Sequence, residues 1–234
     1  MNITGSSTAT AISSSASHGK RLVWLAAAII IAVLVADQAL KIWVKTHFYL
    51  GEEVRIFSWF RLMFVENNGM AFGMEIGSKL LLTVLRIGLV VAFLWYIRAI
   101  GVIRGVKRGY IVCLALIVAG ALGNIIDCVF YGEIFNDPFP PRVAELFPAG
   151  GGYGTWLHGK VVDMLYFPLF NFDWPMWMPI VGGDHFIFFQ PVFNLADSAI
   201  TIGVLSLIFF YSKEIASPSQ LRKAAASQSE TAEQ

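Results

Sequence analysis

The chain has 234 residues, of which 56% are hydrophobic and only 14% charged, with a mean hydropathy of +0.65. A soluble domain carries about 25% charged residues, so this composition indicates a polytopic membrane protein. The net charge of +1 says nothing about nucleic acid, and with no basic run or basic-aromatic platform no nucleic-acid partner is expected.

In chain order, residues 1–19 ("MNITGSSTATAISSSASHG") are rich in Ser, Thr and Ala, and are expected to be disordered. A first span follows at about Leu22–Val44, interrupted by Asp37, Gln38 and Lys41. Lys20 and Arg21 followed by an apolar run ending "LVADQA" are also compatible with a cleaved signal peptide. Because apolar character resumes at "ALKIWV", an uncleaved helix is the better reading. The second span covers about Leu80–Ile100 with Arg86 inside it. The third covers about Tyr110–Phe130, with Asn124 and Asp127 near its end, and the fourth about Phe193–Tyr211. Each is near the roughly 20 residues that a bilayer requires. Residues 217–234 are polar and expected to be disordered.

Lys20 and Arg21 precede span one; Arg98, Arg104, Lys107 and Arg108 surround the turn between spans two and three; Lys213, Arg222 and Lys223 follow span four. With four spans all of these fall on one side, which places both termini in the cytoplasm. The connections at about 45–79 and 131–192 then face outward as small β-rich and loop elements. The expected fold is an all-α membrane protein of four transmembrane helices carrying those elements.

Polar residues interrupt the spans at one depth. Asp37 and Lys41 are spaced i, i+4 with the acid first, the favourable order for a salt bridge. Asn124 and Asp127, and likewise Asn194 and Asp197, are spaced i, i+3. Gly120 and Gly123 would let another helix approach closely. Ionisable groups inside membrane segments mark functional sites, although any one such pair could equally be hydrated or lock two helices together. In the outer connections, "ENNGMAFGM" (Glu66–Met74) leads towards span two. "GKVVDMLYF" (Gly159–Phe167) looks like a short strand or re-entrant segment, in which the apolar neighbours of Asp163 hold it at the interface. The aromatics of "FDWPMWM" (Phe172–Met178) suit an interfacial belt, or simple packing of the loop on the membrane. Cys113 and Cys128 suggest buried packing, and the scattered histidines (His18, His47, His158, His185) give no zinc motif, so neither metal nor cofactor is expected.

Taken in order, "DQALK", "NNGMAF", "GALGNIID", "GKVVDM" and "FNLADS" resemble the signature blocks of the lipoprotein signal peptidase (signal peptidase II) family, from about Asp37 to Ile202. The resemblance implies a four-helix aspartyl protease of the bacterial cytoplasmic membrane, with its active site at the outer leaflet. Its substrates would be diacylglyceryl-modified prolipoproteins, cut just before the lipidated cysteine. It implies Asp163 and Asp197 as the catalytic pair and Asp37, Lys41, Asn67, Asn124 and Asn194 as supporting residues, with Asp127 mainly structural. The protease domain would cover 20–216, in contact with membrane lipids and acting as a monomer. Two departures stand out. Cys128 occupies a position where the family usually has arginine, leaving Arg61, Arg142 and Lys160 as substitutes to test, and about 135–157 looks like an inserted loop that could cover the site. The rival readings are a transporter, which would need acids near mid-membrane and internal repeats, and a non-enzymatic scaffold stitched by polar pairs.

Overall fold

Four largely apolar stretches set the helices of the computed structural model, which describes residues 4–68, 79–101 and 106–216. The helices are α1 (Thr4–His47), α2 (Lys79–Gly101), α3 (Arg108–Ile134), α4 (Leu195–Phe210) and the short α5 (Ser212–Ala216). Small strands occupy the two long connections: β1 (Glu53–Arg55), β2 (Arg61–Asn67), β3 (Val161–Tyr166), β4 (Phe170–Asp173), β5 (His185–Phe188) and β6 (Val192–Phe193). The protein is therefore mostly helical with small sheets.

Among the described residues, three helices are long and apolar enough to cross a membrane: Gly19–His47 within α1, Leu81–Ile100 within α2, and α3. At 16 residues, α4 spans about 24 Å at the helical rise per residue, short of the roughly 30 Å hydrocarbon core. The expectation of four spanning helices is met for three, because Asn194 and β6 replace the helical turns that would have begun span four. α1 also differs from expectation at its other end. Its backbone is helical from Thr4, through most of the segment read as disordered. That segment contains no proline and adjoins a formed helix, so propagation lacks the cost of nucleation. Residues 1–3, 69–78, 102–105 and 217–234 lie outside the described residues, and with them most of "NNGMAF", the polar C-terminal stretch, and Arg104, Arg222 and Lys223 of the orientation count.

The chain divides into two compact units, each drawing on the four long helices. Unit one comprises Met1–Val35, Leu85–Leu122 and Ala196–Gln234. Within it α3 packs closely on α4. A side chain at Gly120 would strike the carbonyl of Ala196, and one at Gly203 would meet the carbonyl of Cys113. Tyr96 and Tyr110 share a hydroxyl hydrogen bond of 3.1 Å, the Tyr110 ring meets Tyr211 edge-on, and Lys107 pairs with Glu214 at 2.6 Å. Large apolar side chains such as Ile31, Leu89, Val91, Ile202 and Phe209 stay exposed, as expected of surfaces that face lipid rather than water.

Unit two comprises Ala36–Val84 and Gly123–Leu195. It holds an antiparallel sheet of order β1-β2-β3-β6 and a separate β4–β5 hairpin. In the register, Val65 stands opposite Asp163, Glu66 opposite Val162 and Asn67 opposite Val161. Because side chains alternate across a sheet, Phe64, Glu66, Val162 and Met164 share one face, while Val65, Asn67 and Asp163 share the other. The first face closes the unit's core, where Phe64, Val162 and Met164 pack with Val44, Phe48, Tyr131, Phe135 and Ala144.

Candidate active site

Two consecutive residues of β2 explain how the site is assembled, because alternation sends them to opposite faces. Asn67 shares a face with Asp163 on the neighbouring strand and donates its side-chain amide to Asp163 Oδ2. The other carboxylate oxygen, Oδ1, accepts from Asn194 Nδ2 at 2.7 Å. Asp163 is 3% exposed, so neither oxygen depends on bulk water. The expectation of a strand around Asp163 holds, and the strand lies inside the sheet rather than at a loop edge.

Asn194, between β6 and α4, is fully buried. Its amide also reaches the Val162 carbonyl at 3.3 Å and Asn124 Oδ1 at 3.1 Å. The same Asn124 oxygen accepts from Lys41 Nζ at 3.0 Å. Lys41, itself buried, pairs with Asp37 at 3.0 Å and with Asp127 at 2.7 Å. A continuous polar chain thus runs from Asp163 through Asn194 and Asn124 to Lys41 and its two acids. Buried charges persist only when paired and hydrogen-bonded, and here one lysine contacts two carboxylates and one side-chain carbonyl.

Asp127 is occupied on both oxygens. Besides Lys41, it accepts from Gln38 Nε2 at 2.9 Å and from the Val162 backbone N–H at 3.3 Å. It therefore ties α1 and β3 to α3. Gln38 in turn donates to the Gly123 carbonyl and accepts from the Tyr131 hydroxyl at 3.1 Å. Asp197 stands in the first turn of α4, three residues after Asn194, and is half-buried. A carboxylate in the first helical turn is favoured by the helix dipole.

Glu66, on the core face, ion-pairs with Lys45 of α1. Lys45 is fully buried, with its ammonium 5.2 Å from the ring centres of Phe135 and Tyr153 and 5.7 Å from that of Phe64. Lys160, three residues before Asp163, lies 3.4 Å from Glu66 and 2.9 Å from Asp137. Burial alone would lower the Lys160 ammonium, but its bond to Asp137 and the charge of Glu66 outweigh this and hold it above its ordinary value. The Tyr153 hydroxyl, which accepts from the Lys160 backbone N–H at 2.6 Å, is pushed up by burial.

Of the residues singled out from sequence, Asp37, Lys41, Asn67, Asn124, Asp163 and Asn194 are drawn into one network in unit two. Gln38 and Tyr131 complete it, while Lys45, Glu66 and Lys160 form a second charged cluster around Glu66. Tyr131 carried a readable signal, standing one turn beyond Asp127 and two beyond Asn124 on the same helix. The pairing of Lys45 with Glu66 had none, since it depends on strand register. The backbone carbonyl of buried Cys128 accepts from Gly159 at 2.9 Å. Among the cations considered in place of the family arginine, Arg61 pairs with Glu53, and Lys160 with Glu66 and Asp137. Among the described residues no group of three His, Cys, Asp or Glu side chains is placed to hold a metal.

The family model described as signal peptidase (SPase) II matches residues 29–213. This chain belongs to the signal peptidase II family. It is 48% identical over 189 residues to a lipoprotein signal peptidase of Porphyromonas gingivalis, covering 81% of this chain and 83% of that one. It is 34% identical over 209 residues to a lipoprotein signal peptidase of Amoebophilus asiaticus, covering 85% and 82%. A bacterial membrane enzyme solved in meso at 2.3 Å shares the fold with a TM-score of 0.54 at 23% identity, covering 82% of this chain and 89% of that one. A second solved bacterial membrane enzyme, at 1.9 Å, gives 0.51 at 24% identity, with coverage of 79% and 90%. A signal peptidase II chain that has, among its described residues, three helices long and apolar enough to cross a membrane is a bacterial membrane peptidase.

Proposed function

We propose that this signal peptidase is an aspartic endopeptidase that removes signal peptides from diacylglyceryl-modified prolipoproteins, cutting just before the lipidated cysteine. The observation that carries this reading is Asp163: buried in β3, with both oxygens held by the amides of Asn67 and Asn194. A carboxylate oriented from both sides is placed to accept a proton from an attacking water. Asp197 supplies the second carboxyl, and the pair holds one proton between them. The protonated carboxyl polarises the scissile carbonyl, and the leaving amine takes up a proton as the C–N bond breaks. Asn124, Lys41 and Asp37 maintain Asn194 in its orientation, so the base does not rearrange as charge moves. No cofactor takes part.

The full proposal places both termini in the cytoplasm, four helices in the membrane with α4 as the short fourth, and the site at the outer leaflet. The lipid tails of the substrate would then remain in the bilayer while its cysteine meets the carboxylates. The basic residues at one end of the helices support that orientation, and the protein would act as a monomer.

The test is cleavage of a diacylglyceryl-modified prolipoprotein by purified protein, beside its unlipidated form, with Asp163→Asn and Asp197→Asn as controls. Cleavage of the lipidated form alone, abolished in both folded variants, is the expected result. Full activity in either variant removes that residue from the mechanism. An uncut substrate, under conditions where a known enzyme of the family works, restores the transporter and scaffold readings.

A further inference from the structure

Within unit one, the N-terminal part of α1's apolar span faces the C-terminal part of α2 across a cavity of about 780 Å³. Its lining is Gly19, Lys20, Val23 and Trp24 from α1, with Trp95, Arg98 and Ala99 from α2. The α2 set has the spacing i, i+3, i+4 and the α1 set the spacing i, i+1, i+4, i+5, so each helix presents one face to the cavity. Both faces pair a cation with a tryptophan. Trp24 is 74% exposed and Trp95 67%. Among the described residues, neither Lys20 nor Arg98 has an acidic partner within ion-pair distance. The catalytic reading leaves this cavity unused, since every residue assigned to the chemistry lies elsewhere in the chain.

We propose that this cavity binds the phosphate-bearing headgroup of an anionic phospholipid, with its acyl chains lying along the exposed apolar flanks of α1 and α2. The size falls in the range of ligand sites, about 300–1,000 Å³. Two uncompensated cations select a net negative charge, which a zwitterionic lipid with its own ammonium lacks. Guanidinium binds phosphate through two parallel hydrogen bonds and ammonium as a point charge. Tryptophan rings settle at headgroup depth, apolar body inward and N–H outward. Basic pockets between membrane helices bind phosphate headgroups on this same basis. The proposal does not depend on the proteolytic reading.

The test uses the full chain in detergent, with native mass spectrometry during titration of phosphatidylglycerol or phosphatidylethanolamine. Wild type should retain phosphatidylglycerol preferentially. Each basic residue near an anionic headgroup is worth about fivefold in affinity, so Lys20→Gln with Arg98→Gln should weaken phosphatidylglycerol binding about 25-fold. Phosphatidylethanolamine binding should be unchanged. Lys20→Arg with Arg98→Lys should keep the preference, which separates charge from fold, and an unchanged melting temperature of the glutamine variant confirms that its helices still pack. Equal retention of both lipids by wild type, or an unaltered preference in the glutamine variant, overturns the proposal. So does displacement of phosphatidylglycerol by millimolar inorganic phosphate, which would make the cavity a site for free anions rather than for lipid.

Discussion

Lys45→Met removes one charge from the core of unit two while keeping most of the side chain's volume. In the wild type the ammonium pairs with Glu66 and lies within 5.7 Å of three aromatic ring centres, with no exposure to solvent. The substitution leaves Glu66 buried at 2% side-chain exposure, with Lys160 at 3.4 Å as its remaining cation. Breaking a buried pair costs about 3–5 kcal/mol. Partial compensation by Lys160 puts the expected loss at the lower end, about 3 kcal/mol, or about 6–12 °C in melting temperature for a chain of this size. Glu66→Gln should cost less, about 2 kcal/mol, because the three rings still stabilise the ammonium by cation–π attraction of about 0.5–2 kcal/mol. The double variant has neither charge and should recover about 2 kcal/mol relative to the sum. Thermal unfolding in detergent, followed by tryptophan fluorescence, gives all three numbers. If the two losses add to within about 0.5 kcal/mol, the pair is not coupled and the account of this core is wrong.

Asn194→Ala deletes the donor to Asp163 Oδ1. A hydrogen bond to a charged group is worth about 1.5–3 kcal/mol, so turnover should fall about 10- to 150-fold, and a variant within twofold of wild type would remove Asn194 from the mechanism. Gly120→Val drives a side chain into the Ala196 carbonyl and Ile200; overpacking should cost about 1–3 kcal/mol, measured as the melting temperature in detergent. The pH dependence follows from Lys160 and Tyr153, both held above their ordinary values of 10.5 and 10.0. Above about pH 10 the unfolded chain releases these protons first, so their contribution is complete below that pH and declines as pH rises further. Hydrogen exchange across 150–162 should be constant in relative protection from pH 7 to 9 and weaken beyond, less so in Tyr153→Phe.

How far the sequence reveals this arrangement depends on the range of each interaction. The Asp37–Lys41 pair is one helical turn long, and its spacing alone predicts the 3.0 Å contact. Asn124 and Asp127 sit on one face of α3 for the same reason. The burial of Asp163 is harder to read, since isolated acids usually lie at surfaces, and it depends on Val65 of β2 standing opposite and on buried Asn194 reaching its carboxylate. Lys45 lies one turn beyond Lys41, so its helical face was legible. That it meets a carboxylate required the alternation of β2, which sends Glu66 inward and Asn67 toward Asp163. The helical reach of α1 back to Thr4 was missed because serine- and threonine-rich composition suggests disorder, whereas an adjoining formed helix extends cheaply into it.

The inserted loop admits a last prediction, because its two ends meet. The Tyr153 N–H donates to the Phe135 carbonyl at 2.8 Å, so residues 136–152 leave α3 and return to the same point. Loops closed in this way can be excised without displacing their flanks. Both ends are also fastened to α3: Phe147 N–H donates to the Ile134 carbonyl and Gly154 N–H to that of Gly132, each at 2.8 Å. Across the loop, Ala144 N–H reaches the Lys45 carbonyl at 3.2 Å and its side chain is buried in the core. A segment held at so many points behaves as a buttress for α1 and Lys45 rather than as a moving cover. Replacing 137–151 with two glycines keeps Phe135 and Tyr153 around Lys45, and removes Ala144 and the Asp137 partner of Lys160. Melting temperature should fall by an amount equivalent to about 2–4 kcal/mol, from two lost backbone hydrogen bonds (those of Ala144 and Phe147) and one small buried side chain. Turnover of a lipidated substrate below that temperature should stay within about threefold of wild type. A large rise or fall in turnover, with the fold intact, would show that the loop controls access to the site and that its contacts to α3 open during catalysis.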